Sequence, residues 1–186
     1  MNVLAYYADR MESIAVDGKN AESVLVLRRG KSESATVIGD GKIMVTENST
    51  AIDNGDLVTR GDGQRYFILA KQSSADCTQM QCKRVNATVQ LVELTDTYVN
   101  HKKTGVTPTV LASDVPVHYT DISANMKLYD AGLLPKTVKR MLLKATIPVK
   151  LLHRIVLNQR NYQVDNIDTA KYVGLYEVQV SEDTRS

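Results

Sequence analysis

The sequence has few of the residues and segments that mark secreted or membrane-spanning proteins. It contains no Trp, one Phe (Phe67) and two Cys in 186 residues, and nine Tyr supply most of the aromatic surface. No segment approaches the roughly 20 apolar residues of a membrane-spanning helix. The N-terminus also lacks a basic leader followed by an apolar run. We therefore expect a protein that folds in a cytosol without a membrane partner, with many tyrosines at edges or interfaces.

Signals for chemistry are also scarce. Cys77 and Cys82 have four residues between them and no His or Cys partner at a zinc-finger spacing. We expect both to be reduced, the default in a cytosol, with a local disulfide as the second interpretation and zinc as the third. The segment RGKS at 29–32 ends like a phosphate-binding loop, but Leu25 stands where that pattern needs its first glycine. The sequence therefore predicts a protein without a cofactor, a metal or enzymatic activity.

Short β-favouring segments dominate the chain, and a helix precedes them. Leu4, Tyr7, Met11 and Ile14 recur at steps of three and four, which predicts the apolar face of a short N-terminal helix. The sequence GDG at 39–41 then predicts a hairpin turn. The expected strands are 24–27, 35–38, 43–46, 57–58, 66–69, 85–91, 115–119, 141–149, 154–157, 162–167 and 174–180.

A second helix is expected near the middle of the chain. Asp121 or Ser123 is its expected N-cap, because both side chains can accept a hydrogen bond from a first-turn amide. Ile122, Met126 and Tyr129 would then share one face of this helix.

The threonine-rich segment 98–114 contains Gly105 and Pro108 and has no sustained period, so we interpret it as a linker or long loop. It would separate an N-terminal helix plus β-module at 1–97 from a helix plus C-terminal β-module at 115–186. The predicted fold class is mainly β (α+β). It consists of small antiparallel β-barrel or sandwich modules with a short N-terminal helix and one central helix.

The two halves share a hairpin pattern. DLVTRGDGQRYFIL and RIVLNQRNYQV each contain an apolar pair ending in Val, a short polar turn, a Tyr, and an aliphatic residue two positions later. The turn between Val58 and Tyr66 is longer than the turn between Val156 and Tyr162. Two similar hairpins are consistent with two small barrels, although any β-hairpin can produce the same pattern.

The first of these hairpins contains the tripeptide Arg60-Gly61-Asp62, by which many extracellular proteins contact integrins. Gly61 and Gly63 can adopt positive φ, and Asp62 favours a turn. We therefore interpret the tripeptide as a hairpin turn, from which Arg60, Asp62 and Arg65 contact a neighbouring chain.

Charge is distributed unevenly in the C-terminal half. From Ala131 to Val164 there is no Asp or Glu, and acidic residues return after Val164. One interpretation is a basic surface that contacts DNA or an acidic protein, next to an acidic surface that contacts a basic neighbour. The other is a set of ordinary solvated strands and turns. The candidate interaction residues of the chain are Arg60, Asp62, Arg65, Lys136, Lys139, Arg140, Lys144, Lys150, Arg154 and Arg160.

The C-terminal run RIVLNQRNYQVDNIDTAKYVGLYEVQVSEDTR resembles the closing segment of neck proteins of tailed bacteriophages, the head-to-tail connector or head closure (stopper) proteins. In the first half, DNGDLVTRGDGQRYFILAKQ and QCKRVNATVQLVEL are similar to the strands of that family, and the segments together cover about half of the chain. The residues that carry the resemblance are Gly55, Asp56, Tyr66, Cys82, Asn86, Tyr162, Val164, Ile167, Asp168, Gly174, Leu175, Val178, Val180, Glu182 and Asp183.

The resemblance implies a virion structural protein, assembled in the host bacterial cytoplasm, that forms a homo-oligomeric ring of sixfold or twelvefold symmetry in the neck. Such a ring docks under the portal or an adaptor protein, helps to retain packaged double-stranded DNA and provides an attachment surface for tail proteins. A tail completion or tail terminator protein is the alternative within virions. A small β-barrel nucleic-acid-binding protein is the alternative from a different class.

Overall fold

A computed structural model of the chain describes residues 3–28 and 41–185. The expected strand at 35–38, the RGKS segment at 29–32 and the turn at 39–41, apart from Gly41, lie outside these ranges. The chain divides into two compact units. The first unit comprises Met1–Val85 with Tyr172–Gly174, and the second comprises Asn86–Lys171 with Leu175–Ser186.

The first unit contains a closed antiparallel β-barrel with the strand order β1-β2-β3-β6-β5-β4. A 3-10 helix, Val3–Arg10, precedes the barrel. The expected N-terminal helix is therefore shorter than predicted, because Ile14 lies in the first strand instead of on a helical face. The strands are β1 (Glu12–Val16), β2 (Glu22–Arg28), β3 (Gly41–Thr46), β4 (Leu57–Thr59), β5 (Arg65–Ser73) and β6 (Thr78–Arg84).

The core of the first barrel is aliphatic, with one tyrosine and sulfur-containing side chains. A smaller cluster beside it joins Leu4 to strands β2 and β3, and Tyr7 and Met11 pack against this cluster, as the N-terminal apolar pattern predicted. The buried side chains of the main core are Ile14, Val16, Val24, Met44, Ile52, Val58, Tyr66, Ile68, Met80 and Cys82.

The second unit contains another closed antiparallel barrel, with the strand order β7-β8-β9-β12-β11-β10 when it is read from β7. A short helix, α1 (Ala124–Tyr129), connects the second and third strands of this barrel. Its N-cap is Ser123, whose hydroxyl accepts a hydrogen bond from the Met126 amide. The strands are β7 (Ala87–Val99), β8 (Lys102–Asp121), β9 (Lys139–Lys144), β10 (Arg154–Leu157), β11 (Arg160–Tyr172) and β12 (Leu175–Glu182).

The structure corrects two details of the expected helix and strands in this unit. Ile122 lies before the first residue of the helix, and Tyr129 is 89% exposed, so the expected apolar face of Ile122, Met126 and Tyr129 is not formed as predicted. The strand expected at 141–149 ends at Lys144, where the chain enters a turn. The core of the second barrel consists of Val89, Leu91, Val115, Val117, Met141, Leu143, Val149, Ile155, Leu157, Tyr162, Val164, Val178 and Val180.

The segment 98–114 is not a linker, because it lies in the ladder that joins β7 to β8. The boundary between the units falls instead between Val85 and Asn86. Thr and Val are β-branched and favour strands, but most of these side chains are exposed on both faces of the ladder. The period-two alternation that marks a half-buried strand is therefore missing from this sequence.

The two barrels have the same strand connectivity. Counted along each unit, both follow the order 1-2-3-6-5-4 around the closed sheet. The repeated hairpin pattern falls on equivalent pairs, β4–β5 and β10–β11. Val58 lies opposite Tyr66, and Ile155 lies opposite Tyr162, so Val156 is offset by one position from the predicted match. The predicted mainly β fold with barrel modules is confirmed, and both hairpins belong to barrels.

Candidate functional site

The turn that carries Arg60-Gly61-Asp62 is closed by its own backbone. The Arg60 amide donates to the Gln64 carbonyl oxygen, and the Gly63 amide donates to the Arg60 carbonyl oxygen, both at 2.9 Å. Gly63 has a φ of +79°, as the turn interpretation predicted, whereas Gly61 does not adopt a positive φ. The tripeptide is thus part of a tight hairpin loop in which Gly63, but not Gly61, takes the left-handed conformation.

The charged side chains of this turn point back to their own chain. Arg60 donates from Nε and Nη2 to the two oxygens of Glu12 at 2.8 and 3.0 Å, and these hydrogen bonds raise the pKa of the guanidinium above its ordinary value. Asp62 lies 3.1 Å from Arg60 and accepts a hydrogen bond from the Gln64 amide at 2.9 Å. Arg65 is half-buried at the start of β5. The predicted contact of Arg60 and Asp62 with a neighbouring chain therefore competes with partners inside the barrel.

Basic residues between 131 and 164 form ion pairs with carboxylates of the second unit. Those carboxylates lie before or after the acid-free stretch in sequence, and folding brings them beside it. The pairs are Lys136 with Asp165, Lys139 with Asp121, Arg140 with Asp130 and Glu177, and Arg154 with Asp183.

Asp183 is the centre of the most buried of these clusters, because its side chain is 0% exposed. Arg154 and Arg185 each donate from Nε to its carboxylate at 2.8 Å. Burial opposes the charged form, but the hydrogen bonds from Arg185 and Arg154 outweigh it and hold the pKa of Asp183 well below its usual range. Arg185 also donates to the Leu152 carbonyl oxygen at 2.9 Å. The C-terminal residues are thereby attached to the segment that precedes β10.

A second cluster surrounds Glu177 on β12. Lys171 donates to both of its carboxylate oxygens at 2.9 and 2.8 Å, and Arg140 lies 3.3 Å from it. Arg140 also pairs with Asp130, where its hydrogen bond lowers the pKa of the carboxyl. The pair of Arg140 with Glu177 thus joins the basic stretch to the acidic C-terminal strand.

The reversal of charge after Val164 is therefore explained by pairing within one chain. It does not require a neighbouring molecule. Lys139 is further held over the ring of Tyr119 at 4.8 Å. Among the described residues, Lys150 and Arg160 have exposed side chains without an ion pair, and Lys144 is half-buried. Of the predicted basic surface, Lys150 and Arg160 are the positions best placed to meet another molecule.

The β7–β8 hairpin extends beyond the second barrel, and sequence reasoning missed it. Strand β7 pairs with β10 only at Gln90–Val92, and β8 pairs with β9 only at 118–121. We call residues 93–110 the arm, a two-stranded ladder that ends in a turn at Asn100 and His101, both with positive φ. Tyr98 and Val99 are 61% and 56% exposed on it. The arm therefore presents apolar side chains to solvent outside either core.

A groove of about 600 Å3 lies beside the base of the arm. One wall comprises residues 93–96 of β7, and the other is formed by the loop at 150–153, in which Leu151 and Leu152 are exposed. His153 is buried at this groove, and its Nε2 lies 3.7 Å from Glu93. Burial lowers the pKa of His153, so it is neutral near pH 7 and forms no strong ion pair with Glu93.

The remaining candidates for chemistry are the two cysteines and the side chains that could bind a metal ion. Cys77 and Cys82 are free thiols, and burial raises the pKa of Cys82 to about 12. Within the part of the chain that the structure describes, no group of three or more His, Cys, Asp or Glu side chains could hold a metal ion. No helix in that same part has both the length and the apolar character needed to cross a membrane.

The fold and these surfaces define a tandem β-barrel protein with one extended hairpin arm. Comparison with protein-family models and with curated proteins found no match for the chain.

Proposed function

We propose that this chain is a structural protein of a tailed-phage virion, which forms a homo-oligomeric ring in the neck between head and tail. In this proposal the ring docks under the portal or an adaptor protein, helps to retain packaged double-stranded DNA and offers a surface to tail proteins. The protein acts by assembly, not by catalysis. The sequence resemblance over β4–β7 and β10–β12 supports the neck assignment.

The observation that carries the proposal is the arm. The first barrel closes with the equivalent hairpin β1–β2, whose strands have five and seven residues, whereas β7 and β8 have thirteen and twenty. The extra length is therefore not needed to close a barrel of this connectivity. A two-stranded ladder is marginally stable by itself. Burial of Tyr98 and Val99 against another surface would stabilise it, because apolar area would be removed from water. An arm of this kind is suited to contact another chain.

Fewer of the basic residues are available for contacts with other molecules than the sequence suggested. Lys136, Lys139, Arg140 and Arg154 act mainly inside the second barrel, where each has a carboxylate partner. Lys150 and Arg160 remain candidates for a surface that faces the channel or another subunit. A ring needs two different complementary surfaces on each copy, and the arm of one copy can supply one of them.

Negative-stain microscopy of the purified protein, mixed separately with purified portal and with purified tails, tests the proposal. We expect rings that stack on the portal and that retain DNA in packaged heads. Binding only to tails would instead identify a tail completion or terminator protein. Binding of DNA by the isolated chain that weakens steeply with salt, without rings on either structure, would identify a nucleic-acid-binding barrel, because phosphate contacts release counterions.

A further inference from the structure

The two edges of the arm differ in their ability to accept another strand. The β7–β8 ladder has three register shifts, and in each the extra residue belongs to β8. That strand also contains Pro108 and Pro116, which lack the amide hydrogen that a ladder needs. Bulges and prolines are common means of protecting an exposed edge from pairing with another chain. The β8 edge is therefore protected.

The β7 edge has none of these protections. From Leu94 to Val99 it reads LTDTYV, which contains β-favouring residues and no Pro, Gly or Lys. Strand β10 covers this edge only as far as Val92, since the chain turns away at Leu152, which has a φ of +66°. Beyond that point the described residues place no strand beside β7. The groove at 150–153 marks the place that a continued strand would occupy.

We propose that the β7 edge is a homodimer contact of the free protein, in which residues 95–99 pair antiparallel with the same residues of a second copy. In such a ladder, two facing residues must both direct their backbone N–H and C=O groups towards the partner strand, or both direct them away from it. The two-fold axis must therefore pass through a residue. Placing the axis at Asp96 would set two carboxylates against each other. Placing it at Thr97 sets Asp96 opposite Tyr98 of the second copy, which removes that repulsion.

Charge complementarity supports the register centred on Thr97. In this register the turn at Asn100 and His101 of the second copy lies beside Glu93 and Leu94, and the exposed Lys102 follows that turn. The Glu93 side chain is 45% exposed, and among the described residues its ion-pair contact is the one with the neutral His153. The basic tip of each arm thus reaches an acidic position at the base of the other arm. The same contact forms twice because of the two-fold symmetry.

This inference goes beyond the proposed ring and does not depend on it. In a ring whose copies contact one another head to tail, no two-fold axis relates one copy to the next. The two-fold β7 contact must therefore open before a copy enters such a ring. A dimer without portal binding would support the inference and count against the neck assignment. Rings on the portal from a chain that is otherwise always monomeric would support the neck assignment and count against the dimer contact.

Cysteine cross-linking tests the predicted register directly. Thr97→Cys places two thiols on facing residues, whose Cα atoms lie about 5 Å apart in a sheet, so mild oxidation should yield a disulfide-linked dimer. Thr109→Cys on the protected β8 edge is the matched control, and it should stay monomeric under denaturing conditions, as should the unmodified chain with Cys77 and Cys82. Equal cross-linking of both variants, or none at Thr97→Cys, would overturn the register.

Sedimentation velocity over a wide range of protein concentration tests the contact without a new thiol. Glu93→Lys should weaken dimerisation by about tenfold at low salt, because two symmetric ion pairs are lost. Lys102→Glu should have a similar effect, and the double variant should recover most of the affinity. Circular dichroism confirms that each variant is folded. A native chain that is monomeric at every concentration, or a double variant no better than either single one, would contradict the proposal.

Discussion

The two barrels have the same strand connectivity but differ in their first hairpin. In the first barrel, β1 and β2 are short and stay within the closed sheet. In the second, the equivalent strands continue past their last neighbours and form the arm. Because the shorter hairpin suffices to close a barrel, the comparison separates the part of the chain that folds the domain from the part that is available for contacts.

The barrels also differ in where they keep their charges. In the first, Lys19 pairs with Asp53 and Asp56 on a surface loop, and Asp53 is largely exposed. In the second, Glu177 and Asp183 lie on or directly after β12, nearly or fully buried, and are held by cations from other strands. Removing one partner from a buried pair costs more than removing one from an exposed pair. The second barrel should therefore be more sensitive to charge substitutions.

The largest loss of stability is expected when the buried tyrosine of either equivalent hairpin, Tyr66 or Tyr162, is removed. Tyr66→Ala and Tyr162→Ala should each lower the free energy of unfolding by about 4 kcal/mol, because each removes a buried aromatic ring from a barrel core. Urea denaturation followed by circular dichroism measures both. Tyr6→Ala is the control, since Tyr6 is exposed, and it should change little. A large loss for only one of the two variants would show that the hairpins are not equivalent.

Asp183→Asn should lower the free energy of unfolding by about 3 kcal/mol, because it leaves Arg154 and Arg185 without their buried carboxylate. The matched substitution in the first barrel, Asp53→Asn, should cost well below this, since its pairs are exposed. Equal effects in urea denaturation would contradict the difference between the two barrels.

The same variant gives a prediction for pH. The pKa of Asp183 is held below its ordinary value, so its stabilisation is complete above the unfolded pKa of about 4 and is lost as the pH falls below it. The native chain should therefore lose stability on acidification from neutral pH to about pH 2 by more than Asp183→Asn does. Parallel pH profiles for the two proteins would argue against a strongly paired Asp183.

Arg140→Glu should destabilise the second barrel by about 2 kcal/mol, because the buried Glu177 would then face a like charge. Lys150→Glu, at an exposed position without an ion pair among the described residues, should change the stability by less than about 0.5 kcal/mol. Thermal unfolding compares the two variants. If Arg140 served only a contact with another chain, the isolated protein would keep its full stability in both.

Among the substitutions that remove a contact, Asp62→Ala should have the smallest effect, about 0.5 kcal/mol, because it removes one hydrogen bond to the Gln64 amide in an exposed turn. Asp62→Asn keeps an oxygen in the same position and should retain most of the stability. An integrin adhesion assay with the native chain should show no binding above that of Asp62→Glu. Specific adhesion that depends on Asp62 would contradict the assignment of the tripeptide to a structural turn.

Much of the barrel architecture follows from sequence patterns. The alternation around Val89 and Leu91 predicted the start of β7, and the repeated hairpins were consistent with the barrel modules. Strands β1 and β6 were not predicted, since ESIAV and TQMQCKR carry polar residues on their exposed faces and few strong β-formers. Their pairing with neighbouring strands supplies the stability that their own composition does not provide.

The candidate site was less predictable than the fold. The acid-free stretch was visible in sequence, but its partners, such as Asp121 and Asp183, lie outside it and come close only on folding. The arm was interpreted as a linker because its exposed faces give no alternation. One signal was available: Thr and Val are frequent on both sides of Asn100, a residue that tolerates the left-handed turn of a hairpin. Density of β-branched residues would have found the arm where periodicity did not.

Shortening the arm tests the central claim most directly. Replacing residues 96–106 with Asn-Gly joins the paired residues Thr95 and Thr107 through a two-residue turn and makes the second barrel resemble the first. Cooperative unfolding should persist, whereas negative-stain microscopy should find no rings on purified portals under conditions in which the native chain forms them. A folded, shortened chain that still assembles rings on the portal would contradict the claim that the arm is the assembly element.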